Sequence, residues 1–137
     1  MNISKYPQFQ LYLLTLKLLR LKSQLIPDSC DERCINSTII NRAYFSSYLL
    51  CELWLEDVKS FKPIPLSNLG ADEKIGEHLQ VRNALYNFGE KIMSKELTKL
   101  AKLRKKADYD PFRDLTQNDV SDAIHHMERI FNRLKFE

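Results

Sequence analysis

Residues 116–134 read TQNDVSDAIHHMERIFNRL. Val120, Ala123, Ile124, Met127, Phe131 and Leu134 recur three or four residues apart, the spacing that gathers one apolar stripe on an α-helix. Thr116 stands just before the stripe, where its hydroxyl can cap the helix. Asp119, three residues on, favours the positive helix end. The spacing therefore predicts an amphipathic helix opening at Thr116, and the rest of the chain repeats that signal.

Upstream, Met93, Leu97, Leu100 and Ala107 form the stripe of a helix over about Glu90–Asp108, ending before Pro111. Val81, Leu85 and Phe88 line one over about Asp72–Phe88, with Gly89 as a short break. Phe61–Gly70, with Pro63 and Pro65, reads as the longest loop. A long second helix is expected over about Ser37–Lys59, capped by Asn36 or Ser37. Ile40, Tyr44, Ser47, Cys51, Trp54 and Val58 fall on one face, with Ile39, Leu49, Leu50 and Leu53 nearly opposite. Apolar residues most of the way round mark it as a central helix. Asp28–Cys34 reads as a charged connector. The first helix covers about Pro7–Leu25, with Phe9, Leu13 and Leu16, and Tyr12 and Leu19 beside them, facing the core; Pro27 closes it. The expected fold is an all-α, antiparallel up-and-down bundle of about five helices in a single domain over residues 1–137.

Composition agrees. Twenty-one leucines against three valines is a helix-biased apolar vocabulary. Three glycines in 137 residues starve hairpin turns, and neither G-x-G-x-x-G nor a P-loop occurs. No nucleotide cofactor is expected. Hydrophobic content of 44% with 28% charge is that of a globular chain. The run Leu11–Leu21 is cut by Lys17 and Arg20, too short and too charged for a membrane span or a signal sequence, so a cytoplasmic protein is expected. Cys30, Cys34 and Cys51 form no disulfide framework. Cys30-x-x-x-Cys34 lacks a second ligand pair, so reduced thiols are expected and no metal site.

The net charge is only +3, but residues 90–106 hold seven basic side chains against two acidic ones, leaving the remainder net negative. An anionic partner would meet the chain there. Lys91, Lys95, Lys99, Lys102 and Lys106 share one side of that helix, whereas Arg104 falls on the apolar stripe. A cation held there needs an anion, a carboxylate such as Asp108 at i+4, or an interface. His78 sits in the row of Val81 and Leu85, either as a core histidine with one hydrogen bond or as a catalytic group. Arg42 is a third misplaced charge, on a nearly all-apolar helix. Tyr44, Tyr48 and Tyr109 can supply hydroxyls near it, or can simply pack. His125 and His126 point about 100° apart and read as a solvated pair.

Asn41-Arg42-Ala43-Tyr44-Phe45, then Gly76-Glu77-His78, and above all Leu103-Arg104-Lys105-Lys106-Ala107-Asp108-Tyr109 together resemble the HEPN superfamily. The likeness is to its small prokaryotic branch with an Arg-x-x-Ala-Asp-Tyr signature, over essentially the whole chain. The resemblance implies a helical bundle that commonly dimerises. Many members are metal-independent endoribonucleases of toxin–antitoxin, abortive-infection and other anti-phage defence systems. Their usual motif is Arg, four to six residues, then His; here the fifth residue after Arg104 is Tyr109, and the next histidine is His125. Relatives often partner a nucleotidyltransferase-type antitoxin, and other members bind nucleotides or act as inactive partners. The resemblance thus makes RNA the expected substrate, without DNA specificity, and a homodimer the expected form. Arg104, His78, Tyr109 and Asp108 become the catalytic candidates, Arg42 and Tyr44 their support, and the five lysines the RNA-binding stripe. A helical protein–protein adaptor with a merely solvated lysine face is the competing expectation.

Overall fold

A computed structural model describes residues 2–25, 31–70, 76–110 and 112–135. Among them lie five α-helices and no strand: α1 Pro7–Leu25, α2 Glu32–Lys59, α3 Glu77–Asn87, α4 Lys91–Tyr109 and α5 Gln117–Lys135. The chain is an all-α helical bundle. Short 3₁₀ turns occupy Ile3–Lys5 and Leu66–Asn68.

α2 is the hub, packed against every other helix. Ile39, Ile40, Leu50 and Leu55 on it are fully buried, against Leu97 and Leu100 of α4 and Met127 and Ile130 of α5. Polar contacts fix the directions. Tyr6 donates to Asp57 at one end of the α1–α2 pair, and Lys22 meets Glu32 at the other, so the two are antiparallel. α4 and α5 are clamped antiparallel by Lys106–Asp119, Arg129–Glu96 and Arg133–Glu90, spaced along their length. α3 and α4 form a hairpin about Gly89, whose φ of +91° suits glycine. Residues 60–70 run back along the bundle, Ile64 pairing its backbone with the Gln80 amide. α3 therefore starts beside the first half of α2 and against the end of α4. That return places His78 near Arg104.

The expected elements are all present, with shifted starts. α2 begins at Glu32 rather than Ser37, because Asp31 caps it by accepting from the Arg33 N–H at 2.9 Å. Asn36 is instead buried and donates to the Leu115 carbonyl at 3.0 Å, a tertiary contact that uses the same side-chain chemistry. The last three residues of the expected connector, Glu32–Cys34, are thus helix, and Cys34 is an exposed α2 residue. The expected start of the third helix at Asp72, and the residues Pro27, Cys30 and Pro111, lie outside the described residues. Thr116 does cap α5: its Oγ1 accepts from the Asp119 N–H, and the Asp119 carboxylate accepts from the Thr116 N–H.

Several placements on apolar faces are corrected. Leu13, Leu49, Val58 and Phe88 are exposed, and on α1 the fully buried Thr15 marks the core flank instead. Arg42 is exposed on α2 and is no buried charge. No described helix is long and apolar enough to cross a membrane.

Candidate functional site

The end of α4 is shaped by its own unsatisfied carbonyls. Arg33, from the first turn of α2, donates to the carbonyls of Asp110 at 2.6 Å and Arg113 at 3.0 Å, covering the helix end. Asn41 of α2 donates to Asp108 Oδ2 at 3.1 Å, and Arg104 Nε donates to the same oxygen at 3.1 Å. Asp108 is thereby fixed from two helices, and it holds Arg104 in turn.

The guanidinium lies among aromatic rings. Its Cζ is 5.0 Å from the Phe45 centroid, 5.4 Å from Tyr44 and 5.7 Å from Tyr109. Cation–π attraction of this kind contributes about 0.5–2 kcal/mol per contact, more where water is excluded. Nη2 reaches the Tyr109 hydroxyl at 3.4 Å. With 22% of its side chain exposed, Arg104 is neither core nor free surface. This explains its place on the apolar stripe: between the buried Leu100 and Ala107, the stripe faces a wall of rings.

His78 approaches the same rings from α3. Its Nδ1 shares a hydrogen bond with the Tyr44 hydroxyl, and its ring stacks on Tyr48 at 3.9 Å. Tyr48 in turn is hydrogen-bonded to Glu52. Burial lowers the His78 pKa below the ordinary imidazole value, and the Arg104 charge lowers it further against the opposing pull of Glu52. His78 is therefore neutral at pH 7. Burial raises Tyr44 to about 12, with Arg82 and Arg104 pulling the other way, so it too is neutral. A neutral imidazole, three phenols and a fixed guanidinium meet at one end of the bundle. Such a set can take up a proton and grip a phosphate together.

Of the expected site residues, Arg104, His78, Asp108, Tyr109 and Tyr44 come together. Arg42 is exposed on α2. Phe45, Asn41 and Arg33, given no role in the sequence reading, join them, and Tyr48, expected as a hydroxyl near Arg42, stacks on His78. The i+3 and i+4 relations of Asn41, Tyr44, Phe45 and Tyr48 on one helix face were the available signal for all but Arg33. The lysines are a separate feature. Lys95 and Arg104 are nine residues apart, about two and a half turns, and so occupy opposite faces of α4. Lys91, Lys95, Lys99 and Lys102 are exposed, but Lys106 is tied to Asp119 at 2.7 Å.

The histidine pair is not simply solvated. His125 is exposed, whereas His126 is partly buried and its Nδ1 bonds the buried carboxylate of Glu96, whose other oxygen accepts from Arg129 at 2.9 Å. Burial pushes Glu96 up, but Arg129 and His126 outweigh it and hold the carboxyl below its usual value. Among the described residues no three or more His, Cys, Asp or Glu gather as a metal site. No protein-family model, curated protein or solved structure matches the chain.

Proposed function

We propose that the chain is a HEPN-like, metal-independent endoribonuclease acting at the Arg104 cluster. The observation that carries this is the meeting of Arg104 and neutral His78 across the Tyr44 ring. In the proposed reaction His78 takes the proton of a ribose 2′-hydroxyl, and the 2′-oxygen forms a bond to phosphorus. Arg104 steadies the charge on the phosphoryl oxygens, with Tyr109 as a second donor. The P–O5′ bond breaks, and the 5′-oxygen takes a proton from water. The products are a 2′,3′-cyclic phosphate and a 5′-hydroxyl. The resemblance extends the proposal to a homodimer and to a nucleotidyltransferase-type antitoxin as partner.

The Arg104–Asp108 ion pair favours a second reading, a non-catalytic HEPN-like scaffold or RNA-binding subunit. Incubating the full chain with total RNA in excess EDTA separates the two. Cleavage leaving cyclic phosphate ends supports the nuclease; intact RNA, with binding retained, leaves the scaffold reading.

The exposed lysines are proposed to hold the RNA backbone without reading sequence. Lys95→Glu with Lys102→Glu is expected to weaken binding alike for every RNA sequence. The plot of log affinity against log salt should become shallower by roughly 0.7 per lost phosphate contact. Because these lysines face away from Arg104, cleavage of a dinucleotide too short to span both faces should be unchanged. Unaltered affinity and slope would make the lysines a solvated face only.

A further inference from the structure

On α1, Leu11, Leu14, Leu18, Leu21 and Leu25 follow one another at alternating intervals of three and four, the seam spacing of helices that pair. Phe9, Tyr12, Leu16 and Leu19 pack against the core, and Leu18 and Leu25 of the seam touch its edge. Leu14 and Leu21 remain 50% and 44% exposed. Beside them Leu18 and Leu25, with Ile35 and Ile39 of α2, line a pocket of about 290 Å³. An apolar groove thus lies between α1 and α2, and the exposed Leu14 and Leu21 stand on the solvent side of Leu18 on α1.

The flank beyond Leu14 is basic: Lys17 and Arg20, both exposed, line a neighbouring hollow with Leu13 and Leu14. On the α2 side, Ile35, Thr38 and Arg42 fall at i, i+3 and i+7 on one stripe, so Arg42 continues the wall that Ile35 and Thr38 begin. Pro7–Leu25 contains no acidic residue. Asp31 at the far end of the pocket is engaged in capping α2. Two copies joined through their α1 helices would set Lys17 and Arg20 against the same cations, which repel.

We infer that the α1–α2 groove docks an amphipathic helix of a different protein, one whose apolar stripe is flanked by acidic residues. Its leucine-type anchors enter between Leu14, Leu18, Leu21 and Leu25, and its carboxylates meet Lys17 and Arg42. Arg42, exposed on α2, has its role here. The surface is remote in sequence from the α4 end, and the inference stands whether or not the chain cleaves RNA.

Two dye-labelled three-heptad peptides test it, both with leucine at every seam position, one flanked by glutamate and the other by lysine. By fluorescence anisotropy on the full chain at low salt, the glutamate peptide is expected to bind at least about tenfold more tightly. Leu14→Gln with Leu21→Gln, both at half-exposed positions, should weaken it about tenfold while leaving the circular dichroism unchanged. Lys17→Glu with Arg42→Glu should reverse the preference between peptides. Equal binding of the two peptides, no binding of either at about 100 µM, or an unmoved Leu14/Leu21 variant overturns the inference. So does a homodimer in sedimentation that the Leu14/Leu21 variant dissociates, since the face would then belong to a second copy.

Discussion

Arg104→Ala is expected to lower RNA cleavage by about 10²–10³-fold, the usual loss when one preorganised donor to a transition-state oxyanion is removed. Arg104→Lys should do nearly as badly, because an ammonium lacks the planar fork that grips two phosphate oxygens. The two variants separate in another readout. The Arg104 charge helps hold His78 below its ordinary pKa. In an NMR titration of the imidazole, Arg104→Ala should move His78 upward, while Arg104→Lys, which keeps the charge, should move it less. Burial is the larger cause, so the alanine variant should still titrate below a solvated histidine. Far-ultraviolet circular dichroism should stay helical in both. Cleavage within a few-fold of the parent chain in Arg104→Ala would remove the arginine from the reaction. Loss of fold in Arg104→Ala and in Asp108→Asn alike would make the pair a structural ion bridge and leave the scaffold reading.

Periodicity found the five helices because each stripe is continuous over two turns or more, and it found the Arg104 anomaly for the same reason. It could not show that the stripe of α4 meets Tyr44, Phe45 and Tyr109 at Arg104, since those rings come from another helix and from the helix's own last turn. His78 was legible as an apolar-face histidine. Its partners were not, because the return of residues 60–70 that sets α3 beside α2 leaves no local pattern. Asn36 and Asp31 show a different limit. Both are good caps by composition, and only the burial of Asn36 against Leu115 decides which one starts α2. Arg33 shows a third: a cation in a stretch read as connector becomes the cover of another helix's C-terminus, 77 residues away in sequence. In each case local chemistry named the residue's capacity, and tertiary contact chose how it was used.

Phe131→Ala should cost about 3–5 kcal/mol, the range for emptying a buried aromatic site. The ring is 2% exposed and joins α5 to α1: its centroid lies 4.4 Å from Tyr12, nearly parallel, and 6.4 Å from Phe9. Apolar burial and ring stacking are lost together, the latter contributing about 0.5–1.5 kcal/mol beyond area. Against a total stability of about 5–15 kcal/mol for a small domain, that is a shift of two to three and a half decades in the folding constant. Phe112 supplies the comparison. It is 97% exposed, so Phe112→Ala should stay within about 0.5 kcal/mol. Urea unfolding with matched m-values measures both. The loss should also be uneven: α1 meets α5 through Phe131 and through the Lys22–Gln117 hydrogen bond at 2.5 Å. Amide exchange in Phe131→Ala should therefore quicken in α1 before α2 and α4. If Phe131→Ala costs no more than Phe112→Ala, or if α1 keeps its protection while the rest of the chain loses its own, the ring does not anchor α1.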